Sequence, residues 1–470
     1  VEHKVGTAER PLRVAIIGAG PAAFYAAESL FKQAELVAQV DMFNRLPTPF
    51  GLVREGVAPD HESIKAVTRI YDRTATNPNF RYFGNVTFGK DILVEDLVQF
   101  YDQIIYAVGA QSDRRMGIPG EDLEGSYPAT IFVGWYNGHP DYADLKFDLS
   151  CERVAVVGNG NVAMDVARIL VSPVDELAKT DIADYALEAL RHSKVREVIM
   201  LGRRGPAQAA FTNPELKEFG ELEGVDPIVD PADLELDEVS LKNLETDKTA
   251  KKNVETLRKY AAETEHSAPR RIVMRFLVSP VEVLGENGRV TGVKIEKNRL
   301  ETGSDGTLKA RGTGQYETVD IGMIFRSVGY RGVMLPGVPF DESTGTIANV
   351  AGRVVFDNTG EAVPGQYVVG WAKRGPSGII GTNKPDSAAT VAVMLQDLED
   401  LQPIADENRD RSKIENLLKQ REINYVTYDA WLRLNEHETG LGAQQGRPRV
   451  KVYRVPEMLE ICGQLQNSSK

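Results

Sequence analysis

Four successive apolar positions, 14–17 (VAII), lead directly into Gly18-Ala19-Gly20. An unbroken run of this kind predicts a strand buried on both faces, as in a parallel sheet. From Pro21 the period changes, and Phe24, Ala27, Leu30 and Phe31 recur on one face of a predicted helix whose first position suits proline. The same switch returns in the middle of the chain. Residues 154–157 predict a strand, Gly158-Asn159-Gly160 a turn, and 161–171 a helix with Val162, Val166 and Ile169 inward.

Further strands are predicted over 40–43, 102–109, 198–201, 271–279, 289–297 and 318–328, and the run 321–329 resembles 104–109. Between them, 46–61 is a Pro/Gly-punctuated loop whose Phe50, Leu52 and Val57 call for a flat apolar surface to lie against. A helix follows, with Asp60 as N-cap and Ile64, Val67, Ile70 and Tyr71 on one face. Residues 215–270 read as charged and irregular, with a solvated helix at 246–259. Near the end, 366–395 predicts a strand, a Gly-rich turn and a helix of small residues. Beyond 401 the chain is charged and helical, then basic at 446–451 (GRPRVK).

The two strand–turn–helix units share one spacing: Gly18-x-Gly20-x-x-Ala23 and Gly158-x-Gly160-x-x-Ala163. In a dinucleotide fold the first glycine makes the turn, the second admits a pyrophosphate, and the third small residue lets helix and strand pack. The helix N-terminus then offers free N–H groups and a positive dipole end. A bare glycine-rich turn would give the same letters, but the position between strand and helix favours the binding reading. The second strand of each unit refines it. Asn44, followed by Arg45, stands where an acid normally takes the ribose hydroxyls, so it can hydrogen-bond there without charge assistance. In the second unit Gly202-Arg203-Arg204-Gly205 occupies that place, and two arginines suit the 2′-phosphate of NADP.

Bulk properties narrow the class. The chain has 470 residues, enough for two or three domains, and a net charge of −13 that argues against a nucleic-acid partner. No apolar run is long enough to span a membrane, and nothing before Pro11 resembles a secretory or transit signal, so a cytoplasmic protein is expected. Only two cysteines occur, Cys151 and Cys462, with no C-x-x-C. A redox dithiol, a cysteine-ligated iron–sulfur cluster and a thiolate zinc site are all excluded, and no metal site is expected. Cys151 reads as inert packing.

Taken in order, GAGPAAFYAAESL, LPTPFGLVREGVAPDH, FVGWYNGHPD, GNGNVAMDVARIL, LGRRGPAQAAFT and GWAKRGPSGIIGTNK make the chain resemble the adrenodoxin-reductase-like ferredoxin–NADP reductases, within the glutathione-reductase-type flavoproteins. The similarity runs from Leu12 to about Lys451. It implies an α/β protein of two Rossmann-like dinucleotide-binding domains, the NADP domain (114–331) inserted in a discontinuous FAD domain (1–113 and 332–470). Carried onto matching positions, Gly18, Gly20, Ala22, Ala23, Asn44, Leu52, Val86, Trp371, Gly378, Ile379 and Ile380 would serve FAD, with Gly378 also near the nicotinamide. Gly158, Asn159, Gly160, Asn161, Val162, Ala163, Arg203, Arg204 and Glu215 would hold NADP(H). Asn44 departs from the family's usual Glu. His61 and Glu218 match a pair placed near flavin and nicotinamide, and would modulate electron or proton transfer; a plain His–Glu hydrogen bond is the competing reading.

The chemistry implied is hydride transfer between NADPH and FAD, then single-electron transfer to a ferredoxin-type iron–sulfur protein. Disulfide-reducing and cluster-bearing relatives need cysteines that this chain lacks. An acidic ferredoxin requires a basic docking patch, for which there are two candidates: Arg54, Lys65, Arg69 and Arg73, or Lys251, Lys252, Arg258, Lys259, Arg270 and Arg271. The alternatives are an NADPH-dependent diaphorase or quinone reductase, a flavin monooxygenase, or a nucleotide-sensing module without turnover.

Overall fold

The computed structural model describes residues 4–304, 306–356 and 359–464; the ends of the expected FAD domain at 1–3 and 465–470 lie outside them. Two sheets, each built around one of the glycine loops, organise the chain. In the seven-stranded sheet the order is Asn349–Val350, Arg353–Val355, Ala362–Val368, Gln103–Tyr106, Leu12–Ile17, Ala38–Phe43, Phe80–Phe83. The last five run parallel, and the first two are antiparallel additions at one edge. The six-stranded sheet is parallel throughout, in the order Ser126–Pro128, Met323–Arg326, Arg153–Val157, Glu197–Leu201, Arg270–Arg275, Val225–Val229. Its strands come from the middle of the chain. Two short strands, Ser112–Asp113 and Tyr330–Arg331, pair antiparallel where the chain passes between the two regions and returns.

Position in the sheet explains the composition of the first strand. Leu12–Ile17 is flanked by Ala38–Phe43 and Gln103–Tyr106, and every one of its residues is buried. The strand order reverses beside it, and it reverses likewise beside Arg153–Val157. In open α/β sheets that crevice, outside the carboxyl ends of the strands, is where ligands bind. Both glycine loops leave the sheets there. The helix Pro21–Phe31 turns Phe24 wholly into the core, where its ring stacks on Tyr71 at 4.9 Å.

Several expectations need correction. The helix predicted after residue 60 is broken into Glu62–Lys65 and Thr68–Ala75, Ile64 is exposed, and the Asp60 side chain caps nothing because Arg168 takes it. Leu52–Glu55 is a short helix inside the expected loop, and the flat apolar surface that Phe50 lies against is the core itself, the rings of Phe24, Tyr71 and Trp431. The stretch 215–270 is regular: helix Asn213–Glu221, strand Val225–Val229 and helix Lys248–Ala262. That last helix is not solvated all round, since Val254 and Leu257 are buried.

The basic run near residue 450 is a clasp. Arg447 reaches Asp184 and the carbonyls of Thr180 and Ile182, all beside the six-stranded sheet. Lys451 Nζ donates to the carbonyls of Arg54 (2.9 Å) and Asn137 (3.0 Å) and lies 3.4 Å from Asp181. Lys65, from the other region, donates to the same Asp181 at 2.6 Å. Burial alone would raise the Asp181 carboxyl, but Lys451 and Lys65 bring it down to about 2. Burial pushes Lys451 down to about 8. Asp181→Asn strands two buried cations, so a loss of ~3–5 kcal/mol in unfolding free energy is expected. Because the folded Asp181 titrates below its unfolded value, its contribution is present above about pH 4 and is lost as pH falls toward 2. Denaturant midpoints measured against pH check both points, and an unchanged midpoint at pH 7 would contradict them. Among the described residues no helix is long and apolar enough to cross a membrane.

Candidate active site

Each glycine loop is shaped by two different demands. Gly18 has φ +107°, and a Cβ there would stand inside contact distance of the Ala107 carbonyl of the neighbouring strand. Gly20, by contrast, faces open space, with nothing within 4 Å of a Cβ. The second loop repeats this: Gly158, at φ +131°, would collide with Ser327 O, and Gly160 faces open space. Both glycines facing space are N-cap residues, and neither helix has a side-chain cap. Two helix N-termini therefore present uncapped N–H groups to a cleft in front of a residue without a side chain, which suits an anionic ligand. Behind the loops, Ala23 and Ala163 are fully buried, and Ala22 and Val162 are half-buried at the helix starts.

The first cleft is walled by segments distant in sequence. Phe50, at φ +86°, donates its N–H to Ala19 O at 2.8 Å, and Gly51 crosses close over Gly20. From the far end of the chain, a Cβ on Gly370 would meet Ala22 Cβ at 2.6 Å, and Ser387 Oγ donates to Ala22 O at 2.9 Å. This brings Trp371, Gly378, Ile379 and Ile380 to the mouth. Trp371 donates through Nε1 to Ser377 O, and Ile379 is left 66% exposed. A tryptophan, a turn glycine and an uncovered isoleucine together make an apolar platform suited to a flat ring. Leu52 is also exposed there, whereas Val86 is buried and gives its N–H to Asn44 O. The Asn44 amide donates to Leu46 O (3.1 Å) and Thr48 O (2.9 Å), so it ties down the loop that covers the cleft.

In the second cleft, Asn159 and Asn161 anchor the facing loop: Asn159 O accepts from Ala210 N and Asn161 Oδ1 from Thr212 N. The Asn159 Nδ2 atom is buried without a partner. Arg203 and Arg204 are exposed, and their carbonyls are pinned by Asn298 Nδ2 and Leu277 N. Among the described residues neither guanidinium has an ion-pair partner. An orphaned amide donor and two unpaired guanidinium groups beside an uncapped helix fit a phosphorylated nucleotide.

Where the two regions meet, His61 Nε2 lies 3.0 Å from Glu218 and 3.8 Å from Glu215, and its Nδ1 lies 3.9 Å from Asp165. Burial disfavours the imidazolium, but the Glu218 hydrogen bond, with Asp165 and Asp60 behind it, holds His61 above its ordinary pKa. Burial, then Asp165, pushes the Glu215 carboxyl up to about 7. Three of these groups, His61, Asp165 and Glu215, bring ligand-type atoms within 4.8 Å of one another. The positive charge among them comes from the buried Arg168.

A family profile, the pyridine nucleotide-disulphide oxidoreductases, matches residues 12–202. The chain is 46% identical over 461 residues to the NADPH-ferredoxin reductase FprA of Mycobacterium tuberculosis, covering 96% of this chain and 99% of that protein. It is 41% identical over 462 residues to the mitochondrial NADPH:adrenodoxin oxidoreductase of Salvelinus fontinalis, covering 96% and 91%. The solved structure of Mycobacterium tuberculosis FprA in complex with NADPH matches with a TM-score of 0.91 at 45% identity, over 96% of this chain and 100% of that one. The chain belongs to the adrenodoxin-reductase-like ferredoxin–NADP reductases.

Within that family's frame, Glu215 joins the His61 cluster through Arg168 at 3.4 Å. Asp60, Asp165 and Arg168 stand around His61; sequence reading took Asp60 for a cap and passed over the other two. Their signal was an arginine three residues after an aspartate in a helix that is otherwise apolar, MDVARIL. The first docking cluster fails, because Arg54 is buried on Glu438 (2.6 and 2.8 Å) and Lys65 on Asp181, leaving only Arg69 and Arg73 exposed. The second cluster splits. Arg270 and Arg271 open a parallel strand whose other end, Arg275, accepts from Gly202 N, so they sit a strand's length away from the nucleotide loop. Lys251 and Lys252 are exposed on the helix beside Asn253, which donates to Phe211 O near that loop.

Proposed function

We infer that this chain is an FAD-dependent ferredoxin–NADP reductase, with FAD in the cleft of the seven-stranded sheet and NADP(H) in that of the six-stranded sheet. The observation that carries the reading is the pair of uncapped helix starts, each behind an open glycine, with His61 and Glu218 paired at 3.0 Å where the two regions meet. When bound, the cofactors supply the chemistry: hydride passes between nicotinamide C4 and flavin N5, and electrons then leave the flavin singly. The chain supplies binding and alignment. Gly20 and Gly160 let each pyrophosphate approach the backbone. Arg203 and Arg204 hold the 2′-phosphate, and Trp371, Gly378 and Ile379 seat the flavin ring. Glu215, raised to about 7, exchanges its proton near physiological pH and lies beside His61 Nε2.

No cysteine pair intercepts the electrons. Cys151 is half-buried and Cys462 buried, and burial pushes both thiols up to about 11, where they are unreactive. An external iron–sulfur protein is the acceptor this arrangement serves. We place its docking on Lys251 and Lys252, which rim the nucleotide side. Lys251→Glu with Lys252→Glu is expected to lower kcat/KM for ferredoxin at low salt by roughly tenfold and to flatten its salt dependence. NADPH oxidation by a small uncharged acceptor should not change. An unaltered salt profile would exclude the patch.

We assign His61 and Glu218 to tuning of transfer at the mouth. His61→Ala is expected to slow hydride transfer or ferredoxin reduction by about tenfold, ~1.4 kcal/mol in barrier. Wild-type rates for both steps would leave the pair a plain structural hydrogen bond.

A further inference from the structure

Arg168 stands on the helix Asn161–Val171 with its side chain almost wholly buried. Its guanidinium donates through Nε and Nη2 to both oxygens of Asp60, at 2.7 and 2.9 Å, and through Nη2 to Asp165 at 2.8 Å. Nη1 lies 3.4 Å from Glu215 and 3.3 Å from Glu218. One cation thus gathers four carboxylates from three separate segments: the loop before Glu62–Lys65, its own helix, and the helix Asn213–Glu221. Three of them, with Glu218 closest, also stand within 4 Å of His61.

We propose that Arg168 is a positioning residue, which fixes the carboxylates around His61 and by its charge sets how readily that imidazole holds a proton. The proposal rests on the reading of His61 and Glu218 as the groups at the mouth. A guanidinium suits the task because its planar fork spans a bidentate carboxylate on one edge and keeps another edge for further partners.

Every charged group facing His61 enters the balance. Glu218, Asp165 and Asp60 favour the imidazolium, Arg168 opposes it, and Glu215 lies against its Nε2. The tyrosines beside the cluster, Tyr136 and Tyr330, feel Asp165 and stay neutral through burial. Removing Arg168 and removing Asp60 therefore have opposite effects on His61. A site that merely loosens would let His61 drift toward its ordinary value from above, in the same direction for both.

The test is a titration of the His61 ring resonances, by NMR on flavin-loaded protein with labelled histidine, in wild type, Arg168→Met, Arg168→Lys and Asp60→Asn. The His61 midpoint is expected to rise by about one pH unit in Arg168→Met, to stay near wild type in Arg168→Lys, and to fall in Asp60→Asn. If Arg168→Met does not accumulate as folded protein, Arg168→Met with Asp60→Asn removes one charge of each sign, and its midpoint should still lie above wild type. A midpoint at or below wild type in whichever of these two variants folds, or an Asp60→Asn midpoint that does not fall, overturns the proposal. Rates play no part in this criterion, so a failure of the electron-transfer role of His61 would be seen separately.

Discussion

Gly18→Val is expected to give a colourless protein, with bound flavin reduced more than tenfold after purification. The backbone at this position has φ +107°, a region that costs a side-chain-bearing residue ~1–3 kcal/mol. The added atoms would also press on the Ala107 carbonyl, which belongs to the adjacent strand end and cannot swing aside as a side chain could. The loop must therefore shift, and with it the uncapped N-terminus of Pro21–Phe31. Gly20→Ala makes the sharper comparison. Its Cβ meets nothing within 4 Å, so thermal stability should hold while flavin affinity falls, because the methyl group enters the space that a pyrophosphate needs. Absorbance ratios and melting curves of the two variants check this, and a yellow Gly18→Val protein of wild-type stability would contradict it.

The second large effect is expected at the arginine pair. Arg203→Ser with Arg204→Ser should raise KM for NADPH roughly 100-fold, ~3 kcal/mol, the scale of two charge-assisted hydrogen bonds at an exposed site. Turnover at saturation should fall far less, since the 2′-phosphate is remote from the reacting carbon and its binding is uniform between ground and transition states. NADH, which lacks that phosphate, should be used as well as before. Both guanidinium groups are exposed and unpaired among the described residues, so no internal partner is stranded by the change. Steady-state kinetics with the two nucleotides decide it. An equal loss with NADPH and NADH would mean that the arginines act on the fold of the loop instead.

Much of the scaffold could be read from local pattern. The change of period at Pro21 and at Asn161 marks both helices at their first residue, because a glycine loop between a buried strand and a helix leaves little freedom in where the helix begins. The placement of the arginines at 203 and 204 was legible for a similar reason, since they follow the end of a buried strand. What could not be read was which charges are buried. Arg54 pairs with Glu438, Lys65 with Asp181, and Arg168 with Asp60, over sequence separations of 384, 116 and 108 residues. A local window sees each as a surface charge, and only contact with a segment distant in sequence removes it from water. The basic run 446–451 is legible only as charge, and its service as a clasp appears only with its distant partners. Asp60 was read as a cap because a carboxylate before a helix usually is one, yet the charge-assisted pair with a buried guanidinium outweighs a single backbone N–H.

The most direct measurement is anaerobic mixing of the purified yellow protein with NADPH in a stopped-flow spectrophotometer, followed by addition of a ferredoxin-type protein. The account predicts rapid bleaching of the flavin band, saturable in NADPH, and then recovery of the band as two equivalents of ferredoxin are reduced. A flavin band that NADPH leaves untouched, or a protein that takes up no FAD, would contradict it.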